Sequence, residues 1–224
     1  MASSSRAFSL GYSLHIVGTY FDGAAMIAHV GAAAESDLKT LCTEQLTALA
    51  NQGAPTRFHI RRVDKALAES DLAAVNPPQQ PDDYPEWVDK VLAGFYPKCE
   101  ASEETLHAYS VGWYLGSWIE NANLAAIALL LKDAEEDNTH IAEHLGTLQT
   151  ELSEAAQGFE DTVAGVGLGA EYTETLAGVL KHIQEAPPLN DPEQEALDIA
   201  DDYQEVLYEL GVEVEKLEKS LGLT

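Results

Sequence analysis

Apolar positions recur at helical spacing along most of this chain. Leu10, Leu14, Val17, Phe21, Ala24 and Ala28 are separated by alternating steps of four and three, and so are Val111, Leu115, Trp118, Ala122, Ala125 and Leu129. Such steps place an apolar stripe along one face of a helix, the face that a bundle buries. After a polar break each series resumes, with Leu38, Leu41, Cys42, Leu46 and Leu49 in the first and Ile141, Leu145, Leu148, Leu152 and Phe159 in the second. Near the C-terminus Tyr203, Leu207, Leu210, Val214, Leu217 and Leu221 form a heptad seam with Asp and Glu on the other faces. No segment alternates with period two over a convincing length, so the pattern predicts an all-α fold.

The two series are related to each other. Phe8-Ser9-Leu10-Gly11-Tyr12-Ser13-Leu14 reads against Tyr109-Ser110-Val111-Gly112-Trp113-Tyr114-Leu115 at an offset of 101, sharing Ser, Gly and Leu, with Phe/Tyr, Leu/Val and Tyr/Trp exchanges. Ala34-Glu35-Ser36-Asp37 then matches Ala134-Glu135-Glu136-Asp137 at 100, and Glu44-Gln45-Leu46 with Leu49 matches Glu143-His144-Leu145 with Leu148 at 99. Three matches in order predict one αα-hairpin used twice, with accessory helices completing the bundle. The acidic box supplies the break and the N-cap of each return helix, Ser36 or Asp37 and Asp137 or Asn138. The alignment also sets Gly11 on Gly112 and His15 on Gly116. Glycine inside a helix costs roughly 0.5–1 kcal/mol relative to alanine. A compensating contact is therefore expected, and a tight crossing of the two repeats is preferred over a ligand notch.

Proline clusters divide the chain. Asn76 to Pro81, followed by Pro85, and Pro187 to Pro192 bound a first helical unit over 1–75, a linker over 76–86, a second unit over 87–186 and a C-terminal heptad helix within 187–224. All four parts are expected to pack as one compact domain. The final helix should close the bundle rather than dimerise, because three heptads are short for an autonomous coiled coil.

Charge narrows the function. The chain has 224 residues, 38 Asp and Glu against 12 Lys and Arg, and a formal net charge of −26, yet 46% of its residues are hydrophobic. It should therefore fold rather than behave as an acidic tail. Its field repels phosphate backbones and anionic headgroups, which argues against nucleic-acid or membrane-surface binding. The same acidity fits a salt-rich environment or a basic partner. Arg57, Arg61 and Arg62 form the basic patch and are expected to pair with neighbouring carboxylates. The apolar run from Tyr109 to Leu131 carries Glu120, Asn121 and Asn123 at its centre, which makes a membrane span untenable. Ser9, Ser13, His15, Thr19 and Asp22 likewise interrupt any signal-peptide core. Cys42 and Cys99 match no disulfide framework or zinc spacing, so a reducing cytoplasm is expected.

The sharpest chemical motif is His140-Ile141-Ala142-Glu143-His144. Histidines four apart share a helix face and can both ligate zinc, while Glu143 can activate a bound water. Over these five residues it resembles the inverted motif of zinc peptidases, whose mixed scaffold and distant Glu ligand have no identified counterpart here. Ile141 belongs to the apolar stripe and His144 aligns with Gln45, so an exposed polar surface is the simpler reading. Glu104 and His107 have the E-x-x-H spacing of di-iron bundles, but the second pair is missing. Gly165, Gly167 and Gly169 read as a break between helices. Tyr20, Tyr109, Trp113, Tyr114 and Trp118 cluster on the repeated helices, where core packing is preferred over a pocket.

The sequence therefore predicts a non-enzymatic acidic helical bundle without a cofactor. Its expected role is a scaffold or interaction module that self-associates or engages a protein through Gly11, His15, Gly112, Trp113, Gly116 and Trp118, or through the C-terminal helix. One alternative is a metal-dependent hydrolase or oxidase using a divalent metal at His140, Glu143 and His144. Another is a small-molecule or metal-binding sensor with a pocket between the repeated helices.

Overall fold

The computed structural model describes residues 7–15, 86, 88–90, 93, 103–134, 139–165 and 170–221. Its helices are α1 (residues 7–15), α2 (Glu103–Ala134), α3 (Thr139–Gly165), α4 (Ala170–Glu185) and α5 (Ala196–Ser220). A further helical stretch carries residues 86, 88–90 and 93, where Lys90 Nζ lies 2.5 Å from Glu86 Oε1 one turn away. Among the described residues there is no strand, and the fold is an all-α bundle. Among them, too, no helix is long and apolar enough to cross a membrane.

Four helices close a ring. α2 packs against α3 and α5, and α4 packs against α5 and α3. Short connections favour this arrangement, since consecutive helices joined by a few residues fold back on one another. Only four residues separate Ala134 from Thr139. The α3 stripe of Ile141, Leu145, Leu148, Leu152 and Phe159 is buried throughout. On α5, Tyr203, Leu210, Val214 and Leu217 are buried, Ile199 and Ala200 extend the seam, and Leu207 is partly covered. The heptad face thus closes the bundle against α2 and α4.

α2 is buried well beyond one stripe. Val111, Leu115, Trp118, Ala122, Ala125 and Leu129 face inward as their spacing predicts, but every residue from Leu124 to Leu131 is buried as well. A helix covered on several sides must be apolar on several sides, and Leu124-Ala125-Ala126-Ile127-Ala128-Leu129-Leu130-Leu131 is. Repeat spacing identifies one face and says nothing about how many neighbours a helix has.

α1 and α2 run in parallel and meet backbone to backbone. A Cβ built on Gly11 would lie 2.5 Å from Tyr109 O and 2.7 Å from Trp113 N, and one on Gly116 would lie 2.8 Å from Tyr12 O and 3.0 Å from His15 Cβ. At Gly112 a side chain would collide with Phe8 O. Small residues permit this approach, and the close contact offsets their poor helix propensity.

The proline-rich connection between α4 and α5 is tied down at both walls. Leu189 is buried, its N–H donates to Gln149 Oε1 at 2.7 Å, and Tyr203 Oη donates to Pro187 O at 2.8 Å. Tyr203 also stacks on Trp118, with centroids 6.5 Å apart. Residues 76–85 of the expected 76–86 linker, the expected first return helix with Cys42, the arginines Arg57, Arg61 and Arg62, and Tyr20, Cys99, Asp137 and Asn138 lie outside the described residues.

Candidate functional site

The junction of α1, α2 and α3 opens into a groove of about 780 Å³. α2 contributes Trp113, Tyr114, Ser117, Glu120, Asn121 and Leu124, whose spacing places them on the helix flank beside the buried stripe. α3 contributes His144, Leu148, Glu151, Glu154 and Ala155, and α1 contributes His15. Helix geometry accounts for one aromatic wall. Gly158 on α3 leaves room for the Tyr114 ring, whose Cδ1 would lie 2.6 Å from any Cβ there.

Within the groove His15 Nδ1 lies 2.5 Å from Glu120 Oε2, with the two side chains 15% and 11% exposed. The His15 ring meets Trp113 edge-on, with centroids 4.1 Å apart and planes at 73°. Burial disfavours the imidazolium and lowers the His15 pKa to about 4. At neutral pH the ring is therefore uncharged, and its Nδ1–H donates to the Glu120 carboxylate. Further along, His144 Nε2 is buried without a hydrogen-bond partner.

The residues singled out from sequence separate into three groups. Gly11, Gly112 and Gly116 lie in the α1–α2 crossing, covered by backbone. Trp118 is in the core against Tyr203. His15 and Trp113 line the groove, and they are joined there by His144 from the H-x-x-E-H motif. His140 and Glu143 are exposed on α3 and do not line it. Among the described residues no group of three or more His, Cys, Asp or Glu side chains is arranged to hold a metal ion. His107 is buried with Nε2 unpartnered, and burial lowers its pKa, while the Glu104 side chain lies outside the described residues.

Sequence reasoning weighed Glu120 and Asn121 only as obstacles to a membrane span and passed over Ser117, Glu151 and Glu154. A signal was available. Ser117, Glu120, Asn121 and Tyr114 make a polar flank at three- and four-residue spacing in an otherwise apolar helix. Its partners on α3 were indistinguishable from an ordinary solvated face.

Chemically the groove offers three carboxyl groups, two imidazoles, aromatic faces, one amide and the hydroxyls of Ser117 and Tyr114, and no Lys or Arg among the described residues that line it. Comparison with known protein families, curated proteins and solved structures finds no match to this chain. The groove itself therefore has to carry the functional argument.

Proposed function

We propose that the protein is a non-catalytic helical binding module, with the groove between α1, α2 and α3 as its binding site. The observation that carries this reading is a concave site of about 780 Å³ combining Trp113 and Tyr114 with a few polar groups, Ser117, Glu120 and Asn121 among them. Small-molecule sites span roughly 300–1,000 Å³ and share this mixture of apolar wall and placed polar groups. Ligand-observed NMR with a fragment library tests it, comparing the wild-type chain with Glu151→Trp, whose indole fills the groove from an exposed position. Fragments that bind the wild type should lose their signal in the variant. An unchanged set of hits would place binding elsewhere.

A second reading, a scaffold that self-associates or holds a protein partner, is favoured by one observation. Tyr208 and Val212 are 77% and 43% exposed and lie one turn apart on α5. Light scattering across a dilution series should show an association that Tyr208→Ser with Val212→Ser weakens. A monomer at every concentration would leave only a foreign partner for that surface.

We further propose that the helical hairpin is duplicated. Phe8 aligns with Tyr109 and Gly11 with Gly112. The contacts follow the same exchange, with Gly11 against Tyr109 and Gly112 against Phe8. Such reciprocity is the signature of a two-fold interface, and two parallel copies of one helix produce it. His15 at the place of Gly116 breaks the symmetry and supplies the histidine of the groove.

A further inference from the structure

The packing of α3 on α2 sets a ladder across the groove. Tyr114 covers Gly158 and α3 runs back along α2, so each step up one helix is matched by a step down the other. Ser117 therefore stands level with Ala155, Asn121 with Glu151, and Leu124 with Leu148, and all six line the groove. Its levels differ in character: aromatic at Trp113 and Tyr114, short side chains at Ser117 and Ala155, polar at Asn121 and Glu151, and apolar at Leu124 and Leu148.

The polar level holds the informative group. Asn121 is nine-tenths buried, yet among the described residues its amide meets no hydrogen-bond partner. Buried polar groups are ordinarily satisfied, and leaving one unpaired costs stability. Nor is this amide sealed in the core, because Asn121 lines the groove and its side-chain atoms stay accessible there. Across from it stands the exposed Glu151, with Glu154 one turn toward the aromatic level, and no described Lys or Arg lines the groove beside them.

Asn121 Oδ1, Ser117 Oγ and the Glu151 carboxylate are acceptors within about one turn of each other, and an ammonium carries three donors, no acceptor and a compensating charge. A hydroxyl brings one donor and no charge. A carboxylate is repelled by Glu151 and Glu154. A bare metal ion lacks a set of three His, Cys, Asp or Glu ligands among the described residues. The short side chains of Ser117 and Ala155 leave a path from Asn121 to Tyr114, seven residues and so about 10 Å along α2. An aryl ring at its far end meets Trp113 and Tyr114.

We propose that the groove takes a primary arylalkyl ammonium ligand, its head between Asn121 and Glu151 and its ring against Trp113 and Tyr114, resting on the groove as the binding site and leaving Glu120 to its hydrogen bond with His15. The test is isothermal titration calorimetry of the full chain at near-physiological salt with three probes of matched length: phenylbutylamine, phenylbutanol and phenylbutanoate, each substituted at the end of the chain. The amine should bind at one site per chain, the alcohol at least tenfold more weakly and the carboxylate not detectably. Affinity for the amine should fall by about tenfold or more in Glu151→Gln and in Asn121→Leu, since each removes an acceptor of the ammonium. Glu205→Gln, exposed on α5, should leave it unchanged and so separates site binding from general attraction to an acidic protein. Glu151 is exposed, so the Glu151→Gln result stands even if Asn121→Leu disturbs folding. Phenylbutanol binding as tightly as the amine, and lost in Glu151→Trp, would overturn the ammonium assignment while keeping the groove as a binding site. Amine binding that is absent, or equal in all variants, would overturn the assignment too. The fragment comparison with Glu151→Trp then judges the groove independently.

Discussion

Alanine at Gly112 adds one methyl group at the point where α1 and α2 meet. The new Cβ would collide with Phe8 O and lie 3.0 Å from Phe8 C and 3.1 Å from Phe8 Cα. All three atoms are backbone, so no side-chain rotation relieves the overlap. Ordinary carbon contacts lie near ~3.5–4.0 Å, so the helices must part by about 0.5–1 Å, a gap that forfeits a quarter to a half of the dispersion energy across it. Overpacking of this kind costs about 1–3 kcal/mol. Alanine returns about 0.5–1 kcal/mol of helix propensity, leaving a net loss of about 1–2 kcal/mol. Gly146→Ala is the matched control. Gly146 lies inside α3 with nothing within 4 Å of a built Cβ, so only the propensity gain remains. The variants should therefore move in opposite directions, apart by the overpacking cost of about 1–3 kcal/mol. Urea unfolding followed by far-UV circular dichroism would resolve this as midpoints roughly 1 M apart, for an m-value of about 2–3 kcal/mol/M. If Gly112→Ala raised the midpoint alongside Gly146→Ala, the close crossing and the packing argument built on it would both be wrong.

Acid should weaken the fold through His15. Its folded pKa of about 4 lies below the ordinary 6.5, so between those values the unfolded chain binds a proton that the folded chain refuses. Stability contributed by the neutral ring is complete above pH ~6.5 and is lost as pH falls toward ~4, by as much as about 3 kcal/mol. Urea midpoints across that window should fall less steeply in His15→Asn than in the wild type; parallel slopes would remove the assignment. Tyr203→Phe keeps the ring against Trp118 and deletes the hydrogen bond to Pro187 O, which should cost about 1–2 kcal/mol in the same assay. Leu210→Ala should cost about 2–5 kcal/mol and Leu207→Ala clearly less, because Leu210 is fully buried and Leu207 only partly. Equal losses would point to a covered Leu207 face and hence to association through α5.

Much of the architecture was legible before any coordinates. Val111, Leu115 and Trp118 on α2, Ile141 to Phe159 on α3, and Tyr203 to Leu217 on α5 declare their buried faces by spacing alone, since a helix that must hide one side repeats every three to four residues. The break after Gly165 and the proline-rich stretch before α5 are equally local, because glycine and proline act on the backbone where they stand. Matched glycines even pointed to a crossing, since an unfavourable residue inside a helix asks for a compensating neighbour.

The groove was not legible, for a physical reason. His15 and Glu120 are 105 positions apart and Glu151 lies further still, so nothing in local periodicity connects them. Their meeting depends on the parallel register of α1 on α2, which the glycines permit, and on α3 folding back along the other flank. His144 shows the same limit from the opposite side. Its neighbours in sequence, His140 and Glu143, suggested a metal motif, but helix rotation leaves them on the exposed surface while His144 turns toward residues on two other helices. By itself, the sequence determined helices, their inward faces, their breaks and an acidic coat, all properties set within a few turns of chain. Tertiary structure alone decided which flank residues share a cavity, because that follows from how rigid helices cross and not from the order of residues along any one of them.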